Sequence, residues 1–241
     1  MNVNQIVRII PTLKVNNRNL NETFYMETLG MKVLLEESAF LSLGDQTGLE
    51  KLVLEEAPSM RSRKVEGRKK LARLLVKVEN PLEIEVLLAK TDSIHRLYKG
   101  QNGYAFEIYS PEDDLVLIHA EDDRESLVEV EENPEFQTDL ESISLSKFEI
   151  SMELHLPTDV ESFLEVSEIG ASLDFIPAQG QDLTVDNTVT WDLSMLKFLV
   201  NELDIASLRK KFESTEYFIP KSEKFFLGKD RNNVELWFEE V

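Results

Sequence analysis

The chain contains no cysteine, so disulfides, thiolate nucleophiles and Cys-based metal sites are all excluded. Histidine is almost as scarce: His95, His119 and His155 are the only three in 241 residues. The nine glycines and eight prolines are scattered, and no Gly-rich run shapes a phosphate cradle. No segment approaches the ~20 apolar residues of a membrane-spanning helix. The opening MNVNQIVRIIPTLKVNN lacks the basic start, apolar run and small-residue cleavage site of a secretory signal. These absences predict a cytoplasmic protein with no membrane partner. Positive charge is the remaining shortage. Lys+Arg number 26 against 46 Asp+Glu, a net charge of −20. A chain this acidic repels nucleic acid and anionic lipid, so no nucleic-acid partner is expected.

What is present is enough for a packed core. Hydrophobic residues make up 42% of the chain, too many for disorder, and the length suits two domains. Charge divides unevenly: net −1 over 1–120, −9 over 121–146 and −10 over 147–241. The middle stretch shows no sustained helical or strand period and contains Pro134. It reads as an acidic connector, solvated or extended. The predicted layout is therefore an N-terminal domain over 1–120, a connector over 121–146 and a C-terminal domain over 147–241.

Period-two alternation dominates the pattern. Over Val7–Val15 the odd positions are apolar, which predicts a strand. A helix is predicted over Leu20–Leu29, closed by Gly30, then strands at Lys32–Leu35, Ala39–Leu43 and Lys51–Glu55. The order β-α-β-β-β repeats from Leu71–Val78, with helix predicted over Pro81–Ala89 and Ser93–Tyr98 and strands at Ala105–Tyr109 and Leu115–His119. A third copy opens at Phe148–Leu156, with a helix from Asp159 to Glu168 and Gly170 after it. A fourth opens at Leu193–Val200 and continues through the helix Ile205–Phe212 and strands at Lys224–Leu227 and Asn233–Phe238. Leu13, Val15, Phe24 and Gly30 align with Leu154, Leu156, Phe163 and Gly170, as a duplication requires. The fold class expected is α+β, with four βαβββ modules paired into two domains.

The string from Pro11 to Asn17, with Phe24, Tyr25, Gly30 and Met31, resembles the opening of the vicinal oxygen chelate superfamily. That superfamily includes glyoxalase I, extradiol dioxygenases and bleomycin-resistance proteins. Ser110-Pro-Glu-Asp-Asp and Lys229-Asp-Arg-Asn-Asn resemble its Asp-Pro-Asp-Gly-Asn turn. The resemblance implies glyoxalase-like domains, each a sheet curled around a cavity. At the level of the whole chain, the length, the two-part layout and the ending from Asn233 to Phe238 resemble the streptococcal CppA family. That likeness implies a proteinase acting on the third complement component, hence a host complement protein as partner and a surface or extracellular location.

Metal-using members of the superfamily carry His or Gln on a module's first strand and Glu on its last. Carried over position by position, the first-strand sites are Ile10, Arg73, Ser151 and Met195. The last-strand sites are Val53, Leu117 and Glu235; a two-residue shift in register offers Glu55 or His119. Three ligands never assemble, and Arg73 repels a cation. No metal and no other cofactor is expected. A metal-dependent lyase or dioxygenase is accordingly the least favoured function.

Alternation also sorts the strands into faces. The cavity of the N-terminal domain is expected to present Arg8, Thr12, Lys14, Arg73, Lys77 and His119, a basic surface suited to an anionic small molecule or acidic peptide. The cavity of the C-terminal domain is expected to present Ser151, Glu153, His155, Glu235 and Trp237. That acidic, aromatic surface suits a Lys or Arg side chain. The alternative reading of both faces is an ordinary interdomain contact. Recognisable protease machinery is missing. No Gly-x-Ser-x-Gly elbow occurs, and Ser151 and His155 stand ~13 Å apart on one strand at ~3.3 Å per residue. His95 reads as a surface helix residue. The basic run Met60–Lys70 reads as a solvated loop between modules. Two functions remain: a proteinase of unrecognised mechanism, or a metal-free binding protein for a small molecule or peptide.

Overall fold

A computed structural model describes residues 4–131, 134–140, 143–159, 162–163 and 172–241. The first module runs β1 (Ile6–Val15), α1 (Arg18–Thr23), β2 (Lys32–Glu37), β3 (Phe40–Gly44) and β4 (Glu50–Glu56). The Asn17 side chain caps α1 by accepting from Leu20 N. A π-helical turn, Phe24–Thr28, follows. Gly30, at φ +66°, ends it in the left-handed conformation that glycine tolerates best. The second module runs β5 (Leu71–Val78), α2 (Pro81–Leu88), β6 (Arg96–Lys99), β7 (Tyr104–Tyr109) and β8 (Leu115–His119), followed by the short β9 (Val128–Glu129). The third copy shows β10 (Phe148–Pro157) and β11 (Leu173–Ala178). Most of its predicted helix, and Gly170, lie outside the described residues. The fourth runs β12 (Leu193–Val200), α3 (Ile205–Lys211), β13 (Tyr217–Phe218), β14 (Phe225–Lys229) and β15 (Glu235–Glu240). The fold is α+β with glyoxalase-like modules.

The segment Ser93–Tyr98, predicted helical, is instead the entry to β6. Arg96, Leu97 and Tyr98 pair with Glu107, Phe106 and Ala105 on β7. Six residues are too few to sustain a helix without packing, and the strand buries Leu97. His95 donates its backbone N–H to Glu107 O. It therefore sits at a strand end, not on a helix.

The chain forms two compact units: residues 1–16, 57–72 and 153–241 in one, and 17–56 and 73–152 in the other. The expected halves 1–120 and 147–241 do not coincide with them. In the first unit the strands run β13-β14-β15-β12-β1. β1 lies antiparallel to β12, with Ile9 opposite Phe198 and Leu13 opposite Leu193, so the opening strand of the chain pairs with the fourth module. Alternation reveals that a strand has a buried face but does not name its neighbour. The buried face packs Phe226 and Phe238 around Phe212, which follows α3, at 5.3 Å and 6.2 Å between ring centroids, and Phe198 stacks on Phe238.

In the second unit β5 lies parallel to β8, and β7, β6 and β9 continue the sheet outward. The meander of β2, β3 and β4 also belongs to this unit. The acidic stretch 121–146 belongs here and is not merely solvated. β9 pairs with β6, Leu127 packs on Leu75, Ala105 and Leu117, and Leu145 is fully buried. The run 60–70 is likewise docked. Arg63 makes a bidentate pair with Asp182 at 2.7 Å for both bonds, and Ser62 and Lys70 are buried.

Candidate functional site

Strand register builds the site in the first unit row by row. Phe218, Leu227, Trp237, Lys197 and Ile10 stand side by side across the five strands. One row away stand Lys229, Glu235, Met195 and Thr12. On the other side stand Phe225, Glu239, Leu199 and Arg8. Strands β12, β14 and β15 alternate buried with half-exposed residues, so these rows form one partly solvated face opposite the aromatic core.

Its centre is aromatic. Trp237 stacks flat on Phe225, with ring centroids 3.8 Å apart at 16°, and Phe218 lies 6.1 Å beyond. The charges around this platform are mostly neutralised. Glu239 Oε2 accepts from Trp237 Nε1 at 3.1 Å and pairs with Lys197 Nζ at 3.1 Å. Lys229 Nζ is held by Asp186 at 2.7 Å. That contact, with the Thr188 hydroxyl and N–H, keeps the Asp186 carboxyl far below the usual carboxylate range. Glu235 is the exception. It is half-buried, and no hydrogen bond or ion pair reaches its carboxylate among the described residues. It lines a cavity of about 250 Å³ with Glu216, Tyr217, Phe218, Leu227 and Lys229.

The predicted cavity residues are distributed differently from expectation. Arg8, Thr12 and Lys14 lie on β1 in the first unit, whereas Arg73, Lys77 and His119 lie on β5 and β8 in the second. The strands that carry the two groups belong to different sheets, β1 to the one that holds β12 and β5 and β8 to the other. Thr12 and Lys14 are also buried. Glu235 and Trp237 do share the face described above. Ser151, Glu153 and His155 lie on β10, which is hydrogen-bonded to neither β12 nor β15. His155 Nδ1 instead contacts Lys69 O at 2.8 Å.

In the second unit Arg73 pairs with Glu107 at 3.1 Å, and Tyr98 OH donates to the same carboxylate at 2.9 Å. Glu107 is buried. Desolvation leads the causes that raise the Tyr98 phenol, and the Glu107 bond adds to it. Lys77 is paired with the exposed Asp122. His119 is buried, and its pKa is lowered to about 4, first by desolvation and then by Arg124 and Lys77. A larger cavity of about 490 Å³ in this unit is lined by Lys77, Glu79, Asn102, Asp122, Lys147 and Glu149. Its cations are already spent on Asp122 and Glu79.

The positions that hold a divalent ion in the superfamily do not fit one here. Ile10, Val53 and Leu117 offer no donor atom, Met195 only a soft thioether, Ser151 a neutral hydroxyl and Arg73 a cation already paired with Glu107, which leaves Glu235 as a lone carboxylate. Of the alternatives, Glu55 pairs with Phe40 in the meander and His119 is buried on β8. Among the described residues no group of three or more His, Asp or Glu is placed to hold a metal. Nor does any Ser hydroxyl among them hydrogen-bond to a histidine. Ser162 donates to Asp230 at 2.9 Å. His95 packs on Tyr109, ring centroids 4.8 Å apart.

Sequence reading misses Glu216, Phe218 and Phe225 at this face and Glu107 in the second unit. β13 is two residues long, too short for alternation to mark it. Glu107 sits in a strand that alternation does mark, but only the fold shows it to be buried opposite Arg73.

The model of the CppA N-terminal family matches residues 8–130, and that of the CppA C-terminal family matches residues 145–238. Among curated proteins, none matches the chain. The crystal structure of cppA protein from Streptococcus pneumoniae TIGR4 is similar over 100% of both chains, at 91% identity and a TM-score of 0.96. A proposed dioxygenase from Bacillus subtilis is similar over 98% of this chain and 86% of its own, at 13% identity and a TM-score of 0.59. Glyoxalase I from Zea mays is similar over 97% of this chain and 92% of its own, at 9% identity and a TM-score of 0.53. At such low identity these last two likenesses concern the fold alone.

Proposed function

The chain belongs to the CppA family, and from that starting point we propose that it is a binding protein whose Glu235 cavity receives an organic cation. The cation belongs to a peptide or small molecule. One observation carries this reading: among the described residues Glu235 is a half-buried carboxylate with no partner, while the neighbouring lysines on its face are engaged elsewhere. A charge-assisted hydrogen bond to it contributes roughly 1.5–3 kcal/mol. Contact with the Trp237–Phe225 platform adds roughly 0.5–1 kcal/mol.

Trp191 and Trp237 are the only two tryptophans. Trp191→Phe therefore makes Trp237 the sole indole reporter. Titration with Nα-acetyl-lysine amide should change its fluorescence saturably. Glu235→Gln should weaken that binding about 10-fold or more, since ~1.4 kcal/mol is a factor of ten. An equal response to Nα-acetyl-norleucine amide, which lacks the charge, would remove the basis for the proposal.

As macromolecular partner we propose the third complement component, which the family name implies, and with it a location at the surface or outside the cell. On the binding reading that component is retained, not cut. Protease-depleted protein mixed with purified component should co-elute with intact chains. Defined fragments that persist through the depletion controls would favour a proteinase instead.

A further inference from the structure

Resting on that cavity reading, we infer that the ligand is an extended polypeptide that adds as a strand to the outer edge of β13. Among the described residues β13 ends the strand order of the first unit, and Tyr217 and Phe218 pair with Gly228 and Leu227 of β14 alone. Their outward N–H and C=O groups therefore face away from the sheet. Exposed edges are normally blunted by charge or proline. This one is short and flanked by Glu216 and Pro220, yet it presents two aromatic side chains, 45% and 56% exposed. Phe218 continues an apolar row through Leu227 to Trp237.

Register also states what the added strand must carry. Tyr217 opposite Gly228 and Phe218 opposite Leu227 bring Glu216 beside Lys229. Glu216 thus joins the row that contains Glu235, and both carboxylates line the same cavity. Lys229 does not neutralise them, because its ammonium is held by Asp186 at 2.7 Å. In an added strand, residues opposite Glu216 and Phe218 are two apart and point to this one face. The complementary pair is a lysine or arginine opposite Glu216 and an apolar residue opposite Phe218. The four-carbon stem of a lysine placed there extends over β13 into the cavity that Glu216 and Glu235 share.

The test uses the full chain with Trp191→Phe and four probes. They are Nα-acetyl-lysine amide, the capped hexapeptide Thr-Lys-Thr-Val-Thr-Thr, and two versions of that peptide N-methylated at alternate amides. Strand addition predicts that the hexapeptide binds at least about 10-fold tighter than the lysine amide. One N-methylated version should lose that gain and the other keep it, because alternate amides face the sheet. Glu216→Lys should weaken the peptide by about 10-fold or more. If the peptide binds no tighter than the lysine amide, or both methylated versions keep the gain, strand addition is wrong while the cavity stands. If neither peptide nor lysine amide binds, the cavity reading falls and strand addition falls with it.

Discussion

Lys70 and His119 both make stability rise with pH, in two separate windows. The Lys70 side chain is buried and donates to Val185 O at 2.9 Å. Desolvation lowers its pKa to about 8, with Asp192 and Asp186 opposing the shift. The unfolded lysine keeps its proton to about 10.4. Between about pH 8 and 10.4 unfolding therefore takes up a proton, and stability rises with pH by roughly 3 kcal/mol. His119, with its pKa lowered to about 4, gives a slope of the same sign in the acidic range. Below the unfolded value of about 6.5 the unfolded chain binds a proton that the folded chain refuses. Stability contributed by the neutral imidazole is thus lost as pH falls from about 6.5 to 4, again by roughly 3 kcal/mol. Urea unfolding at a series of pH values should show both slopes. Lys70→Met should flatten only the alkaline one, and His119→Phe only the acidic one. If Lys70→Met keeps the alkaline rise, the assignment to Lys70 is wrong. Both residues are visible in the sequence, but their burial is not. Lys70 ends a run of six basic residues that looks solvated, and only docking of that run onto the 182–192 segment desolvates the amine.

Elements with a long two-residue period are legible in the sequence. β1, β5, β10 and β12 appear within a residue of expectation, because one apolar face over eight or ten residues leaves little freedom. Short elements are not. β6 reads as helix and β13 leaves no mark, since two or four residues carry no period and take their form from the strand beside them. The tie between β5, β6 and β7 illustrates this dependence. Glu107 on β7 is buried and accepts from Arg73 on β5 and from Tyr98 on β6. Removing the cation alone strands a buried carboxylate. Arg73→Met should therefore destabilise by about 3–5 kcal/mol, whereas Arg73→Met with Glu107→Leu should recover most of that loss. A double-mutant cycle by chemical denaturation reads the coupling. A loss from Arg73→Met alone below about 1 kcal/mol would mean that the pair behaves as a surface ion pair.

At the scale of the whole molecule, the repeat is visible in the sequence and the pairing of its copies is not. Four similar modules admit several pairings with the same apolar pattern, and the acidic stretch invites a division into sequential halves. That division decides how the cavity residues are grouped. Arg8 and Arg73 fall together when adjacent modules are paired, yet β1 lies against β12. Glu235 and Trp237 remain neighbours under any pairing because they share one strand. The pairing has a consequence for fragments. A chain of residues 1–130 keeps β1 but loses β12. A chain of residues 145–241 keeps β12, β14 and β15 but exposes the edge of β12 that β1 covers. With Leu13 and Leu193 both buried in the intact chain, each fragment leaves a core strand uncovered. Neither should unfold cooperatively alone, and co-expression should restore one cooperative transition with amide protection at Leu13 and Leu196. Sequential domains would behave otherwise: each fragment would fold by itself, and mixing would add no protection.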